Sequence, residues 1–152
     1  MRNTTPTKLI TAGALIFNEQ DEFLLVKPSY KETWEIPGGI VESDESPFEA
    51  CKREILEEIG IGLEIKYLLS VVYSERTGGQ TDKLQFIFNG GVVSDIQKSI
   101  RLDMKEIIDF RFVTFDQAKE LLNNKILSRV KHALLNRDVA HNTFSNLFEI
   151  VL

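Results

Sequence analysis

The sequence predicts a layered fold of the α/β or α+β class, built on a mixed or antiparallel sheet. Strand-like and helix-like segments are interspersed along the chain, as is typical of both layered classes. Two pairs of strand-like segments are separated only by short polar turns, and such pairs form hairpins. A doubly wound parallel sheet is therefore disfavoured.

The first predicted hairpin joins residues 9–17 and 23–27, with a polar turn at 18–21. Trp34-Glu35-Ile36 is predicted to be extended, because a proline disfavours helical geometry in the residue before it. Gly38-Gly39 then permits a tight backbone path that residues with a Cβ would resist. These segments lead directly into the most informative part of the chain.

The segment from Pro47 to Ile59 is predicted to be a helix. Ser46 and Glu49 have the spacing of a capping box, Pro47 suits the first helical position, and Gly60 ends the helix. We expect an apolar stripe to enter the core, formed by Phe48, Cys51, Ile55 and Ile59.

The second predicted hairpin joins residues 63–74 and 83–93 around Gly78-Gly79, with Gly90-Gly91 marking a bulge or a strand end. A further strand lies within residues 107–114. We expect Asp116 to cap a helix through Leu122, followed by another helix at 127–136 and an apolar tail at 144–152. The tail is compatible with a final strand, a docking segment or the contact of a homodimer.

Composition bounds the function. The chain has 152 residues and a net charge of −5, which predicts a single domain over residues 1–152 and disfavours stable nucleic-acid binding. Its one cysteine excludes an internal disulfide. A signal peptide and a membrane-spanning run are not expected, so the default expectation is a cytoplasmic protein.

Three glutamates stand out on the predicted helix. Glu54, Glu57 and Glu58 occupy positions i, i+3 and i+4 and share one face, where like charges repel. A chain that gathers carboxylates in this way can bind a hard cation such as Mg²⁺ through oxygen. The competing interpretation is a solvated acidic surface, which is the more frequent explanation of three acids on an isolated helix.

The pattern over residues 39–61 favours cation binding over a solvated surface, because it resembles the signature of the Nudix hydrolase family. That signature is a glycine, five residues, a glutamate, seven residues, and then Arg-Glu-aliphatic-any-Glu-Glu-any-Gly-aliphatic. Residues 39–61 match all nine specified positions, namely Gly39, Glu45, Arg53, Glu54, Ile55, Glu57, Glu58, Gly60 and Ile61. The resemblance implies an α/β/α sandwich over a mixed sheet.

The resemblance also implies a reaction and a set of roles. The reaction is Mg²⁺- or Mn²⁺-dependent hydrolysis of a diphosphate linkage in a nucleoside diphosphate joined to another group. Glu57 and Glu58 would be the main metal ligands, and Glu54 a further ligand or the general base. The Gly38 carbonyl would complete the coordination. Arg53 would orient the glutamates and Glu45 would support the loop.

Residues outside the signature are candidates for further roles. Glu106 is the leading candidate for an additional acid, with Asp103 as the alternative, and an exposed loop carboxylate is an equal alternative for each. Tyr30 and Trp34 are candidates for stacking on a base, although packing is the stronger expectation for Trp34. Loop position makes three residues near the second hairpin candidates for contacting phosphate or sugar, namely Arg76, Gln80 and Lys83.

Two other functions compete with hydrolysis. A sensor would bind a nucleotide or nucleotide sugar without cleaving it, but the complete set of acids argues against a pure binder. A structural protein with an incidental acidic helix is the third possibility. The sequence does not choose among nucleoside triphosphates, ADP-ribose, nucleotide sugars and similar small-molecule substrates.

Overall fold

The computed structural model describes residues 4–75 and 78–140, with only the backbone described at 139 and 140. Arg76 and the apolar tail at 144–152 therefore lie outside the described residues. The elements follow in the order β1 (Leu9–Phe17), β2 (Phe23–Pro28), β3 (Gly38–Ile40), α1 (Pro47–Ile59), β4 (Tyr67–Ser74), β5 (Lys83–Val92), α2 (Ile96–Ser99), β6 (Ile107–Val113), α3 (Phe115–Ala118) and α4 (Asn124–Ala140).

The strands form one mixed sheet, as predicted. The order is β4-β5-β1-β2-β6, and β3 pairs with β1 outside this path. β1 and β5 are parallel, whereas the other neighbouring strands are antiparallel. Both predicted hairpins, β1–β2 and β4–β5, are confirmed. The central strand β1 therefore pairs with β2, β3 and β5.

Helices cover both faces of the sheet. Strand side chains alternate between the two faces, so each face presents apolar side chains that pack against a helix. On one face, Ala12, Ala14 and Ile16 of β1 pack with the predicted stripe of α1. On the other face, Leu15 and Phe17 lie in a second core cluster. That cluster also contains side chains of α3 and α4, including Ala118, Val130 and Ala133. The α/β class is thereby confirmed.

Three elements differ from the sequence prediction in their bounds, one of them being α4, which was expected at 127–136 and spans Asn124–Ala140. The strand expected from residue 63 begins at Tyr67, because Leu63 and Ile65 are buried in the core without joining the sheet ladder. The helix expected to be capped by Asp116 is only four residues long, and its cap is Thr114. The Thr114 hydroxyl accepts from the Gln117 amide, and the Gln117 side-chain oxygen accepts from the Thr114 amide. The carboxylate of Asp116 instead contacts Lys119.

The glycine pair in β5 forms a bulge and does not end the strand. Leu15 pairs with Asn89 and Phe17 pairs with Val92, so β5 carries an extra residue at this point. Gly91 has a φ of 73°, a conformation that favours glycine. No helix within residues 4–75 and 78–140 is long and apolar enough to cross a membrane.

Candidate metal-dependent hydrolase site

Helix α1 begins and ends as its local sequence predicts. The Ser46 hydroxyl accepts from the Glu49 amide at 3.1 Å, and the Glu49 carboxylate accepts from the Ser46 amide at 2.8 Å. Gly60 closes the helix with a φ of 71° and donates its amide to the Leu56 carbonyl. Since Cys51, Ile55 and Ile59 are fully buried, the orientation of the acidic face is fixed by the core.

The three glutamates of α1 differ sharply in exposure. Glu58 is only 6% exposed, although it is a charged residue type. The side chain of Glu54 is 15% exposed, whereas that of Glu57 is 60% exposed. The acidic face therefore runs from the protein interior to solvent, so it is not a uniformly solvated acidic surface.

Arg53 holds this face together. Its guanidinium donates two hydrogen bonds to the Glu45 carboxylate, at 2.7 and 3.1 Å, and one to Glu54 at 2.9 Å. It also reaches Glu57 at 3.5 Å and the Ile40 carbonyl at 3.2 Å. These contacts join the loop before α1, the strand β3 and the helix. The orienting role implied for Arg53 and the supporting role implied for Glu45 stay predictions.

Strand β3 lies directly against two of the glutamates. The Gly38 amide donates to the Glu58 carboxylate at 3.2 Å. A Cβ added at Gly39 would lie 2.6 Å from both carboxylate oxygens of Glu54. A side chain at Gly39 would have to displace the Glu54 carboxylate, and the tight path predicted for Gly38-Gly39 brings β3 against both carboxylates.

Burial changes the proton affinity of these groups. Desolvation raises the pKa of Glu58 to about 8, and the nearby charge of Glu54 adds to the effect. Burial also raises the pKa of Glu54, although hydrogen bonding and charge attraction from Arg53 oppose it. The pKa of Glu45 is lowered, chiefly by its hydrogen bonds from Arg53. The inner part of the site therefore favours an added positive charge, whether a proton or a cation.

The donor chemistry fits Mg²⁺ or Mn²⁺. The carboxylates of Glu54, Glu57 and Glu58 and the carbonyl of Gly38 supply only oxygen, which both ions accept. Within the described parts of the chain, no three His, Cys, Asp or Glu side chains converge closely enough to hold a metal as they stand. Glu54 and Glu57 face Arg53, so cation binding requires these two side chains to turn.

The two candidate acids outside the helix occupy different positions. The charge of Glu106 contributes to the raised pKa values of Glu54 and Glu58, after burial as the largest cause. Glu106 is the smallest of the named causes in both cases, so its carboxylate lies within electrostatic range of the acidic face. The carboxylate of Asp103 instead accepts from the backbone amides of Lys105, Glu106 and Ile107, and so it shapes the loop that carries Glu106.

The candidate stacking residues also separate. Trp34 is buried in the second core cluster, and the Arg111 guanidinium lies 4.8 Å from its ring centroid. This is the packing environment that we considered the stronger expectation for Trp34. Tyr30 is 72% exposed and lines a cleft beside β3. Arg76 cannot be placed, because it lies outside the described residues.

The cleft has a volume of about 190 Å³ and contains residues that the sequence did not single out. Besides Tyr30, Gly38 and Gly39, it is lined by Thr11, Gln85 and Arg129, together with the predicted Lys83. Thr11 and Gln85 are direct partners in the parallel β1–β5 ladder. No sequence motif links these positions, and only the alternation of strand side chains hints that Thr11 and Gln85 could share a face.

The fold and the site together define a class of protein. It is a mixed-sheet α/β protein in which strand β3 and helix α1 hold three carboxylates of different solvent exposure beside a small cleft. The family model of the NUDIX domain matches residues 7–134. The chain therefore belongs to the Nudix hydrolase family, as the signature predicted.

Known proteins resemble the chain in sequence and in fold. It is 34% identical over 74 residues to a MutT-like protein of Streptomyces ambofaciens, covering 49% of this chain and 47% of that protein. It is 30% identical over 126 residues to the m7GpppN-mRNA hydrolase of Saccharomyces cerevisiae, covering 82% and 12%. The chain thus spans about half or less of these relatives. The structure of a MutT protein from Methanosarcina mazei Go1 has a TM-score of 0.68 and 29% identity, covering 84% of this chain and 95% of that protein.

Proposed function

We propose that the protein hydrolyses a diphosphate linkage in a nucleoside diphosphate joined to another group, in a reaction that depends on Mg²⁺ or Mn²⁺. The observation that carries this proposal is the buried carboxylate of Glu58 beside Glu54, packed against the glycines of β3. An uncompensated charge in this position is costly, and a divalent cation would remove the cost. Membership of the Nudix hydrolase family and the similarity to the m7GpppN-mRNA hydrolase support the same chemistry.

Three groups would hold the metal, namely the carboxylates of Glu57 and Glu58 and the carbonyl of Gly38, and Glu54 would be either a further ligand or the general base. A bound divalent cation neutralises phosphate charge and helps to generate the nucleophilic hydroxide. Arg53 keeps the outer carboxylates near β3, and Glu45 fixes the guanidinium of Arg53. This preorganisation matters because phosphoryl transfer depends mostly on positioning and charge stabilisation.

The bond changes of the proposed reaction are simple. The oxygen of a water molecule forms a bond to one phosphorus, and the bridging phosphorus–oxygen bond breaks. The electron pair of that bond leaves with the second phosphate, and the proton of the water passes to a carboxylate. Glu54 is the proposed acceptor, because its partly buried carboxylate has a raised pKa, mainly through desolvation. Glu106, within electrostatic range of the same face, is the alternative.

A substrate panel tests this proposal directly. Purified protein is incubated with nucleoside triphosphates, ADP-ribose, nucleotide sugars and dinucleoside polyphosphates, with Mg²⁺, Mn²⁺ or EDTA, and the products are identified by mass spectrometry. We expect cleavage of a diphosphate linkage in at least one of them, only when metal is present. Tight nucleotide binding without product would instead support the sensor. Failure to bind Mg²⁺ or Mn²⁺ in calorimetry, even with nucleotide present, would support a structural role.

A further inference from the structure

The loop at 103–106 is anchored at both ends near the acidic helix. Before the loop, the Arg101 amide donates to the carbonyl of Ile59, the last residue of α1, at 2.8 Å. At its other end, the Glu106 carbonyl accepts from the Ser29 amide at 2.8 Å. The loop therefore spans from the end of α1 to the segment that follows β2 and lines the mouth of the cleft.

One carboxylate oxygen organises this loop. Asp103 Oδ1 accepts from the amides of Lys105 and Ile107, each at 3.0 Å, and from that of Glu106 at 3.2 Å. Asp103 Oδ2 adds only a longer contact with the Glu106 amide, at 3.4 Å. Burial acts to raise the pKa of Asp103, but the three amides together outweigh it and the pKa is lowered. The loop thus depends on an acceptor at the position of Oδ1.

Backbone preference alone would not hold the loop in this shape. Met104 has a φ of 60°, in the left-handed region that is unfavourable for residues other than glycine. Its amide donates to the Ile107 carbonyl at 3.1 Å and closes a tight turn. The side chains at 103–106 are exposed, so core packing does not hold the turn. The bonds to Asp103 therefore offset the cost of the strained residue.

The turn determines where the charge of Glu106 lies. The Glu106 carboxylate forms no hydrogen bond or ion pair with any residue that the structure describes, so the backbone of the loop directs it. The anchors at Ile59 and Ser29 keep that backbone between α1 and the segment after β2, within electrostatic range of Glu54 and Glu58. A change in the loop would therefore move this charge relative to the acidic face.

We propose that Asp103 is a positioning residue, which acts through the loop backbone to hold the Glu106 carboxylate toward the acidic face and makes no catalytic contact of its own. Of the two acids outside α1, one then faces the site and the other shapes the loop that presents it. The consequence for turnover rests on the function proposed above, whereas the control of the Glu106 charge by Asp103 does not.

Two substitutions of Asp103 separate positioning from a direct role of its charge. Asp103→Asn keeps an oxygen that can accept from all three amides, so its kcat should stay near that of the parent. Asp103→Ala removes the acceptor, so we expect kcat to fall by about tenfold or more with little change in KM, because misplacing a reacting group is costly. An equal loss in both variants would show that the charge of Asp103 is itself used and would overturn the proposal.

A double-mutant cycle shows whether Asp103 acts through Glu106. Glu106→Gln should lower kcat at least as much as Asp103→Ala, and the double variant should lose nothing further. A full additional loss in the double variant, or normal turnover in either single variant, would overturn the proposal. Asp116→Ala is the matched control and should keep the parent turnover, because that exposed aspartate lies on α3 and contacts Lys119.

Binding of Mn²⁺ provides a readout without turnover. Mn²⁺ is titrated into each variant without nucleotide and followed by electron paramagnetic resonance. We expect Asp103→Ala and Glu106→Gln each to weaken binding by about threefold or more, since a negative charge moves away from the cation or is lost. Asp103→Asn should bind like the parent, and Asp103→Ala should add nothing to Glu106→Gln.

The outcomes separate this inference from the proposed reaction. The expected Mn²⁺ pattern in a protein that cleaves nothing in the substrate panel would retain the positioning role and lose the hydrolase function. Metal-dependent cleavage with equal turnover and equal Mn²⁺ affinity in all variants would do the reverse. If Asp103→Ala fails to fold, as judged by circular dichroism, weakened Mn²⁺ binding in Asp103→Asn or unchanged binding in Glu106→Gln would still overturn the proposal.

Discussion

At the scale of single residues, the most unusual group is the Glu58 carboxylate. It is buried, its hydrogen bond from the Gly38 amide is moderately long at 3.2 Å, and its pKa is raised to about 8, mainly by desolvation. A residue in this state destabilises the metal-free protein once it is ionised. Its presence is explained if the folded protein works with a cation beside it.

The pH dependence of stability tests this explanation. The pKa of Glu58 is about 8 in the folded protein against 4.5 ordinarily, so the folded state binds the proton more tightly. The resulting stabilisation is complete below pH 4.5 and is lost as the pH rises through about 8. In EDTA, we expect Glu58→Gln to raise the Tm at pH 9 by about 5 °C or more and to change it little at pH 5.

Thermal denaturation followed by circular dichroism measures both values. Addition of Mg²⁺ at pH 9 should stabilise the parent protein more than Glu58→Gln, because the variant lacks the charge that the cation neutralises. A Glu58→Gln variant with the same Tm as the parent at both pH values would contradict the placement of a destabilising carboxylate here.

The exposed member of the group should behave differently. Glu57 has a 60% exposed side chain, so Glu57→Gln should leave the Tm nearly unchanged. If Glu57 is a main metal ligand, turnover should fall by about 100-fold or more, the size of effect found when an enzyme loses one charge-stabilising group.

Steady-state kinetics on the substrate identified in the panel provides this measurement. Glu64→Gln is a suitable control, because that carboxylate is 89% exposed and lies outside α1. Normal turnover by Glu57→Gln would remove the metal-binding role from this residue. Loss of turnover in Glu64→Gln would show that any nearby acidic charge matters and not the ligand position.

At the scale of elements, the site depends on how closely β3 approaches α1. A Cβ at Gly39 would lie 2.6 Å from both carboxylate oxygens of Glu54, so Gly39→Ala must displace this carboxylate. We expect turnover to fall by about tenfold or more, since small misplacements of positioned groups are costly in catalysis. The apolar stripe of α1 is untouched, so the protein should stay folded.

Gly62→Ala is the matched control for this experiment, because a Cβ there would meet nothing within 4 Å. Kinetics and thermal denaturation of the two variants give the comparison. Equal turnover in Gly39→Ala, Gly62→Ala and the parent would show that the contact between β3 and Glu54 has no part in the reaction.

The elements also show which signals in the sequence were sufficient to predict the bounds of helices and strands. The bounds of α1 were predictable, because its capping box and its terminal glycine are local and act through neighbouring backbone groups. The cap of α3 was missed because Asp116 and Thr114 are both good cap residues, and only the reciprocal bonds with Gln117 decide between them. The early start assigned to β4 arose because Leu63 and Ile65 are buried like strand residues without pairing.

At the scale of the whole molecule, the acidic site and the cleft were not equally predictable. The residues of the acidic site lie within one short stretch of sequence and follow a recognisable spacing. Thr11, Gln85 and Arg129 of the cleft are far apart in the chain and meet only through the parallel pairing of β1 with β5 and the packing of α4. Such a juxtaposition depends on tertiary structure, so the sequence alone could not bring these three residues together.

The central claim is that the acidic face directs water to phosphorus in a metal-dependent reaction. It is tested most directly by hydrolysis of the preferred substrate in ¹⁸O-labelled water, with mass spectrometry of both products. We predict that one phosphate product gains one labelled oxygen, that EDTA stops the reaction, and that Mg²⁺ or Mn²⁺ restores it. Turnover in EDTA, or label on a carbon-bound hydroxyl group with unlabelled phosphates, would contradict the claim.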